Sequence, residues 1–156
     1  MEKGERVRYR LAIIGLLNIG LYAGEFDESL KSCKQNNPKV CSLVAKAYLN
    51  GNGVKADPKK ASKYFEMACD IDVYEFCAKA GFLYLQGNGV TKDMKKAISF
   101  NQKACDGGVG FSCMTLGVMA YRGDGMKQDK EKAISLFKQA CELGDENGCN
   151  KYKALQ

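Results

Sequence analysis

The sequence predicts an all-α fold, a right-handed solenoid of helical hairpins in which a disulfide joins each hairpin to the next. Three observations predict it: two registers of cysteine repeat every 36 residues, glycine, aspartate and alanine recur at the same period, and the apolar residues between them follow helical spacing. A single helical hairpin cannot bury its apolar face alone, so consecutive hairpins must stack. The two registers are Cys41, Cys77, Cys113 and Cys149, and Cys33, Cys69, Cys105 and Cys141.

The first 23 residues predict a secretory signal peptide. Four basic residues between Lys3 and Arg10 precede an apolar run from Leu11 to Tyr22, and a small residue, Ala23, follows it. The run has 12 residues, which is well short of the roughly 20 that a membrane-spanning helix needs. We therefore expect cleavage after Ala23 and a secreted or periplasmic product, residues 24–156, that does not associate with a membrane.

The charge pattern does not point to a nucleic-acid partner. The whole chain carries a formal charge of +6, and loss of four basic and two acidic residues with the signal peptide leaves +4. The charged residues are interspersed instead of forming one basic block, and arginine is scarce. We expect a solvated, mildly basic surface, no nucleic-acid partner and a monomer.

The repeat divides the chain into three full units, residues 41–76, 77–112 and 113–148, with partial units at 24–40 and 149–156. Each full unit is predicted to contain two helices, which we name helix A and helix B. Helix A begins near the cysteine and ends at a Gly-x-Gly loop, where glycine accepts the positive φ of a helix terminus. Helix B begins at an aspartate whose carboxylate caps the free amides of the first turn. These aspartates are Asp57, Asp93 and Asp129.

Helix B carries an apolar stripe. Ala61, Tyr64, Phe65 and Ala68 are spaced i, i+3, i+4 and i+7. In the middle unit Asn101 replaces the phenylalanine, and we interpret it as a partly exposed edge of the stripe instead of a functional polar group. By the same pattern, the N-terminal partial unit supplies only the end of a helix B, and the C-terminal partial unit supplies a short helix A.

The cysteines predict four disulfides. Two pairings would be identical in every unit: one across 28 residues, which leaves Cys33 and Cys149 unpaired, and one across 8 residues, which uses all eight cysteines. The second ties the end of each helix B to the start of the next helix A, and contributes about 2 to 3 kcal/mol per bridge on the chain-entropy model. The Cys-x7-Cys spacing and the absence of histidine argue against a metal site, so we expect no metal and no cofactor. The predicted bridges are Cys33–Cys41, Cys69–Cys77, Cys105–Cys113 and Cys141–Cys149.

The middle unit contains the pattern Cys-x3-Gly-x2-Tyr-x2-Gly-x-Gly, which resembles the Sel-one-like repeat, a TPR-like hairpin, in its disulfide-bearing form. Over nearly all of residues 26–156 the chain resembles the Helicobacter cysteine-rich protein family, although Phe76 and Ser112 stand where the family often has glycine. The resemblance implies secretion, an adaptor-like repeat scaffold and, for some members, binding and slow hydrolysis of β-lactams. The residues of the pattern are Cys77, Gly81, Tyr84, Gly87 and Gly89.

The first functional hypothesis is a scaffold that binds a peptide, a peptidoglycan fragment or a protein partner. Repeat solenoids use the concave surface of their stacked helices for this purpose. Positions 2, 5 and 9 residues after each helix A cysteine form a stripe that the core does not need, and its last members, Asn50, Gln86 and Arg122, could hold an extended ligand by its backbone or carboxylate groups. The predicted ligand-binding residues are Leu43, Lys46, Asn50, Lys79, Phe82, Gln86, Thr115, Val118 and Arg122. Three lysines that repeat on helix B are expected on the opposite, outer side: Lys60, Lys96 and Lys132.

The second hypothesis, which the family resemblance implies, is a penicillin-binding protein or a slow β-lactamase that cleaves the β-lactam amide. Serine enzymes of this class use Ser-x-x-Lys, Ser-Asp-Asn and Lys-Thr-Gly elements, and only the first has a match, from Ser135 to Lys138. Such a match arises easily by chance on a lysine-rich helix. The sequence therefore indicates no catalytic motif, and the catalytic residues are unknown. The absence of histidine excludes a histidine-dependent triad or zinc site.

Overall fold

A computed structural model describes residues 23–35, 37–70 and 73–156. This part of the chain contains eight helices and no strand, so the predicted all-α architecture is confirmed. The helices are α1 Ala23–Lys34, α2 Pro38–Asn50, α3 Pro58–Cys69, α4 Tyr74–Gln86, α5 Met94–Asp106, α6 Gly110–Arg122, α7 Lys130–Glu142 and α8 Glu146–Ala154. Helices α2, α4, α6 and α8 are A helices, and α1, α3, α5 and α7 are B helices. Residues 1–22, which hold nearly all of the predicted signal peptide, lie outside the described residues.

The caps lie where the sequence predicts them. Helices α2, α4 and α6 end at glycines with φ of 74°, 71° and 81°. The carboxylates of Asp57, Asp93 and Asp129 accept a hydrogen bond from the backbone N–H three residues further on, at 2.8 to 3.0 Å. The backbone N–H of each aspartate also donates to the preceding A helix, as from Asp57 to the carbonyl of Tyr48 at 2.8 Å. Backbone and side-chain hydrogen bonds therefore fix both ends of the connection that contains each Gly-x-Gly loop.

Every hairpin is joined to the next by one disulfide. The predicted pairing across 8 residues is found at all four positions, with Cα atoms 4.4 to 4.8 Å apart, and no cysteine is free. Each A helix begins three residues before its cysteine, so the cysteine is the fourth residue of α2, α4, α6 and α8. The bridge therefore connects the last turn of a B helix to the first turn of the following A helix.

Small residues let the two helices of a hairpin approach closely. A Cβ on Gly117 of α6 would lie 2.6 Å from the ring of Phe137 of α7, and a Cβ on Gly81 of α4 would lie 2.6 Å from the amide nitrogen of Asn101. Real Cβ atoms do not approach other atoms so closely, which explains the glycine at both positions. The alanines of the helix B stripe, such as Ala61, are fully buried.

Two expectations are corrected. Asn101 is only 1 % exposed, so it is not an edge position. Its Nδ2 donates to the carbonyl of Ala97 at 2.8 Å, because Gly81 opposite leaves room for the amide and the backbone supplies an acceptor. Helix α1 has 12 residues, as α3 does, so the N-terminal partial unit contains a full-length helix B and not only its end.

Candidate functional site

Exposed apolar side chains concentrate on the A helices. Five large apolar side chains of the described residues are well exposed, and four of them, Leu43, Phe82, Phe111 and Tyr121, lie on α2, α4 and α6 with exposures of 37 to 50 %. The fifth, Leu143, follows α7. Exposed apolar side chains that cluster on one face are typical of binding surfaces. We call the solvent-facing side of α2, α4, α6 and α8 the A-helix face.

A first cavity on this face, the middle cavity, lies between α4 and α6. It has a volume of about 410 Å³. Its walls are mainly apolar, and Lys79 and Glu75 are its charged side chains. The apolar lining residues are Ala78, Phe82, Val109 and Phe111.

A second cavity, the C-terminal cavity, lies between α6 and α8. It has a volume of about 230 Å³, and Arg122 and Lys151 are its charged side chains. The remaining lining residues are Val118, Tyr121, Phe137, Ala154 and Leu155. Helix α8, which has 9 residues, contributes one wall of this cavity.

The structure brings four of the nine predicted ligand-binding residues to these cavities. Lys79 and Phe82 line the middle cavity, and Val118 and Arg122 line the C-terminal cavity. The other five lie on the A helices outside the cavities: Leu43, Lys46, Asn50, Gln86 and Thr115.

Those five residues differ in what they can offer a ligand. Leu43 is 50 % exposed, and Asn50 and Gln86 are exposed at the C-terminal ends of their helices. The ammonium group of Lys46 lies 5.7 Å from the ring centre of Phe76. The hydroxyl of Thr115 donates to the carbonyl of Phe111 at 2.9 Å within α6. Thr115 therefore has less hydrogen-bonding capacity left for a ligand than Asn50 and Gln86.

The C-terminal cavity is positively charged, with Arg122 and Lys151, whereas in the middle cavity Lys79 is accompanied by Glu75. Within the described residues, Lys79, Arg122 and Lys151 form no ion pair, and Glu75 is the sole acidic residue of the two linings. An unpaired cation beside an apolar wall can form charge-assisted hydrogen bonds with a carboxylate. Each cavity thus combines apolar contact area with at least one cation that forms no ion pair with another described residue.

The repeated lysines of helix B are exposed, and two of them also contact a tyrosine ring of the preceding helix A. The Lys60 ammonium lies 5.1 Å from the ring centre of Tyr48, and that of Lys96 lies 4.6 Å from the ring centre of Tyr84. Lys96 also donates to the Tyr84 hydroxyl at 3.1 Å, a hydrogen bond that raises the pKa of Lys96. All three lysines are exposed, and Lys132 differs in having alanine, not tyrosine, at the position of the ring. Two of these three lysines therefore help to pack the hairpins.

The Ser-x-x-Lys match lies on an exposed part of α7. Ser135 and Lys138 are both exposed, and the Lys138 ammonium lies 3.8 Å from the carboxylate of Glu142. Neither residue lines one of the two cavities.

Phe111, Tyr121, Lys151 and Leu155 belong to the cavity walls but were missed by the sequence analysis. Phe111 is an aromatic residue where the other units have Lys39, Glu75 and Asn147, and this departure from the repeat is a signal that the sequence offers. Lys151 lies two residues after Cys149 and so holds the stripe position of Leu43, Lys79 and Thr115, a signal that the sequence also offers, whereas Leu155 gave none.

The fold and the bridges define the class of this protein: a disulfide-linked solenoid of helical hairpins. The four disulfides indicate an oxidising, extracellular or periplasmic environment. Among the helices of the described residues, none has the length and apolar character needed to cross a membrane. The model of the Sel1 repeat matches residues 38–72, 75–109 and 111–145. The chain belongs to the Sel1 repeat family, whose members are generally protein-binding scaffolds.

Solved structures show the same fold. Helicobacter pylori cysteine rich protein B is 26 % identical, with a TM-score of 0.63 over 81 % of this chain and 96 % of that one. A protective antigen of uropathogenic Escherichia coli strains is 27 % identical, with a TM-score of 0.80 over 85 % of this chain and 28 % of that one. The Sel1 repeat protein from Oxalobacter formigenes, at 22 % identity, shares the fold with a TM-score of 0.75 over 85 % of this chain.

The chain spans 53 % of the Oxalobacter protein and a smaller share of the antigen. No curated protein matches the sequence significantly. The predicted resemblance to the Helicobacter cysteine-rich proteins is confirmed by the repeat match, by the similar structure of protein B and by the bridges between successive hairpins.

Proposed function

We propose that the protein is a secreted or periplasmic scaffold that binds a peptide segment of a partner protein along the A-helix face. The observation that carries this proposal is the segregation of exposed apolar side chains, four of five on the A helices, next to two cavities on the same helices. A monomeric soluble domain exposes few such clusters unless a partner covers them. The family's general role in protein binding supports the same conclusion.

The A-helix face is better suited to a peptide than to a compact small molecule. Its exposed apolar residues extend from Leu43 on α2 to Tyr121 on α6, across three successive hairpins. A small ligand would fill one cavity and leave the rest of the face exposed. An extended segment can contact several hairpins at once, because the A helices of successive hairpins lie side by side along the solenoid.

Two matched variants test the proposal. Short random peptides displayed on phage are selected on the oxidised protein, and synthetic copies of the enriched peptides are titrated by calorimetry. We expect Phe82→Ser to weaken binding by about tenfold or more. The control, Leu143→Ser, removes a side chain of similar exposure, 42 % against 46 %, that belongs to no A helix and lines neither cavity, and should leave the affinity unchanged. The opposite result, with only Leu143→Ser affecting binding, would rule out the A-helix face.

A further inference from the structure

The two cavities of the A-helix face share one arrangement, an apolar wall with a cation beside it. In the middle cavity Lys79 is one turn from Phe82 on α4. In the C-terminal cavity Arg122 of α6 and Lys151 of α8 accompany Val118. A ligand that fits both sites must therefore place an apolar group and an anionic group close together at each site.

The charges of the cavities favour acidic ligands over neutral ones. None of Lys79, Arg122 and Lys151 is ion-paired with another residue that the structure describes. A neutral segment that covered these cations would remove water from them without replacing its hydrogen bonds, which is costly. A segment with carboxylates beside its apolar side chains would replace them with charge-assisted hydrogen bonds. Glu75 opposes this preference only in the middle cavity.

The sizes of the cavities suit single side chains. A site for a drug-sized ligand has a volume of about 300 to 1,000 Å³, and the C-terminal cavity, at about 230 Å³, is smaller. The middle cavity, at about 410 Å³, lies near the lower end of that range and has room for an aromatic side chain between Phe82 and Phe111. Each cavity therefore fits one anchor residue of a longer chain.

Helix α6 sets the distance between the two anchors, since it contributes to both cavities. Phe111 lines the middle cavity, and Val118 and Tyr121 line the C-terminal cavity. At a rise of 1.5 Å per residue these positions are about 10 to 15 Å apart along the helix. The cavities also lie on opposite sides of α6, and packed helices are about 8 to 10 Å apart, so the direct separation is about 13 to 18 Å. An extended peptide advances about 3.3 Å per residue, so the two anchors would be about four to five residues apart.

We infer that the partner segment is an acidic, extended peptide with two apolar anchor residues about four to five positions apart, each followed or preceded by aspartate or glutamate. This inference rests on the proposed function, because it specifies the partner chemistry of the same face. The middle cavity takes one anchor, with its carboxylate at Lys79. The C-terminal cavity takes the other, with its carboxylate between Arg122 and Lys151.

The test uses the phage-selected peptides and charge reversals on the protein. We expect the enriched peptides to contain two apolar residues at the stated spacing and an excess of aspartate and glutamate. Lys79→Glu and Arg122→Glu should each weaken their binding by about tenfold. Replacing only the carboxylate of the middle-cavity anchor by lysine should weaken binding to the parent protein and restore binding to Lys79→Glu. Lys63→Glu makes the same charge change on an exposed position of helix B and should have little effect.

The outcomes separate this inference from the proposed function. If Phe82→Ser weakens the enriched peptides but they carry no excess of acidic residues and tolerate both charge reversals, the acidic partner is wrong while the A-helix face remains the binding site. If neither Phe82→Ser nor the charge reversals affect binding, the proposed function fails and this inference fails with it. If Lys63→Glu weakens binding as much as Lys79→Glu, the effect is that of net charge and the paired anchor sites are refuted.

Discussion

The junction between the first two full units and the junction between the second and third achieve the same packing with opposite chemistry. At the first junction Phe65 of α3 stacks on Phe76 of α4, with ring centres 5.8 Å apart, while the Tyr84 hydroxyl donates to Glu66 at 2.8 Å. The equivalents of these four residues at the second junction are Asn101, Ser112, Ala120 and Gln102. An apolar pair has become polar, and a polar pair has lost its interaction.

The polar contacts of the first junction form a small network. Glu66 accepts from Ser62 at 3.0 Å and from Tyr84, which in turn accepts from Lys96 at 3.1 Å. At the second junction isoleucine replaces Ser62, and Ile98 packs into the apolar cluster of α6 and α7. The same hairpin geometry therefore accommodates a hydrogen-bonded network at one junction and apolar packing at the same position of the next.

The difference teaches which contacts specify the repeat. Both junctions have the disulfide, with Cα atoms 4.7 and 4.8 Å apart, and both have a capping aspartate and positive-φ glycines. These covalent and backbone features fix the relative position of successive hairpins. Side chains at the remaining positions then only have to fill the space and satisfy their polar groups, which can be done in more than one way.

The largest expected effect is at Tyr84. Its ring is 8 % exposed and stacks on Phe100 at 5.9 Å, so Tyr84→Ala should lower the free energy of unfolding by about 3 kcal/mol. The control Tyr121→Ala removes a ring that is 37 % exposed and should cost less than about 1 kcal/mol. Urea unfolding of the oxidised protein, followed by circular dichroism, measures both. Equal losses would show that Tyr84 is no more important to the first junction than a surface ring.

Removing one disulfide comes next. Both Cys69→Ala/Cys77→Ala and Cys105→Ala/Cys113→Ala should lower the free energy of unfolding by about 2 to 3 kcal/mol, because the two closed loops have the same length. Urea unfolding of the two double variants makes the comparison. A difference between them greater than about 1 kcal/mol would show that the non-covalent contacts of a junction, and not only loop closure, set the contribution of its bridge.

A smaller change measures the contribution of the hydrogen-bonded network alone. Tyr84→Phe removes only the hydroxyl that joins Glu66 and Lys96, and should cost about 1 kcal/mol. Tyr48 holds the same position one unit earlier, and its hydroxyl forms no hydrogen bond with another described residue. Tyr48→Phe should therefore stay within about 0.5 kcal/mol of the parent. If thermal unfolding gives the two variants the same melting temperature, the hydrogen-bonded network does not stabilise the fold.

An effect of similar size but opposite sign is expected at the second junction. The Ser112 hydroxyl is fully buried and has no hydrogen-bond partner among the described residues. Ser112→Ala should raise the free energy of unfolding by about 1 kcal/mol, since it removes an unsatisfied polar group. Ser62→Ala, which removes a bonded hydroxyl at a similarly buried position, should instead be destabilising. Differential scanning calorimetry distinguishes the two signs, and a destabilised Ser112→Ala would mean that the hydroxyl is satisfied in solution.

The sequence by itself determined the hairpins, their caps and their bridges. The Asp57 cap, the Gly51 terminus and the Cys69–Cys77 bridge all follow from short-range signals that recur in each unit. These features depend on backbone geometry over a few residues, so the same residue type has the same role wherever it appears. The 36-residue period then shows that each feature is structural.

Only the tertiary structure determined the side-chain contacts between units and the cavities of the A-helix face. Asn101 is buried because Gly81 of another helix leaves room for it, and Lys103 donates to the carbonyl of Cys69, 34 residues away, at 2.8 Å. Phe111 and Tyr121 lie beside cavities because α4 and α8 stand on either side of α6. Such contacts join positions whose residue types differ from one unit to the next. The repeat pattern does not encode them, since it records only what the units have in common.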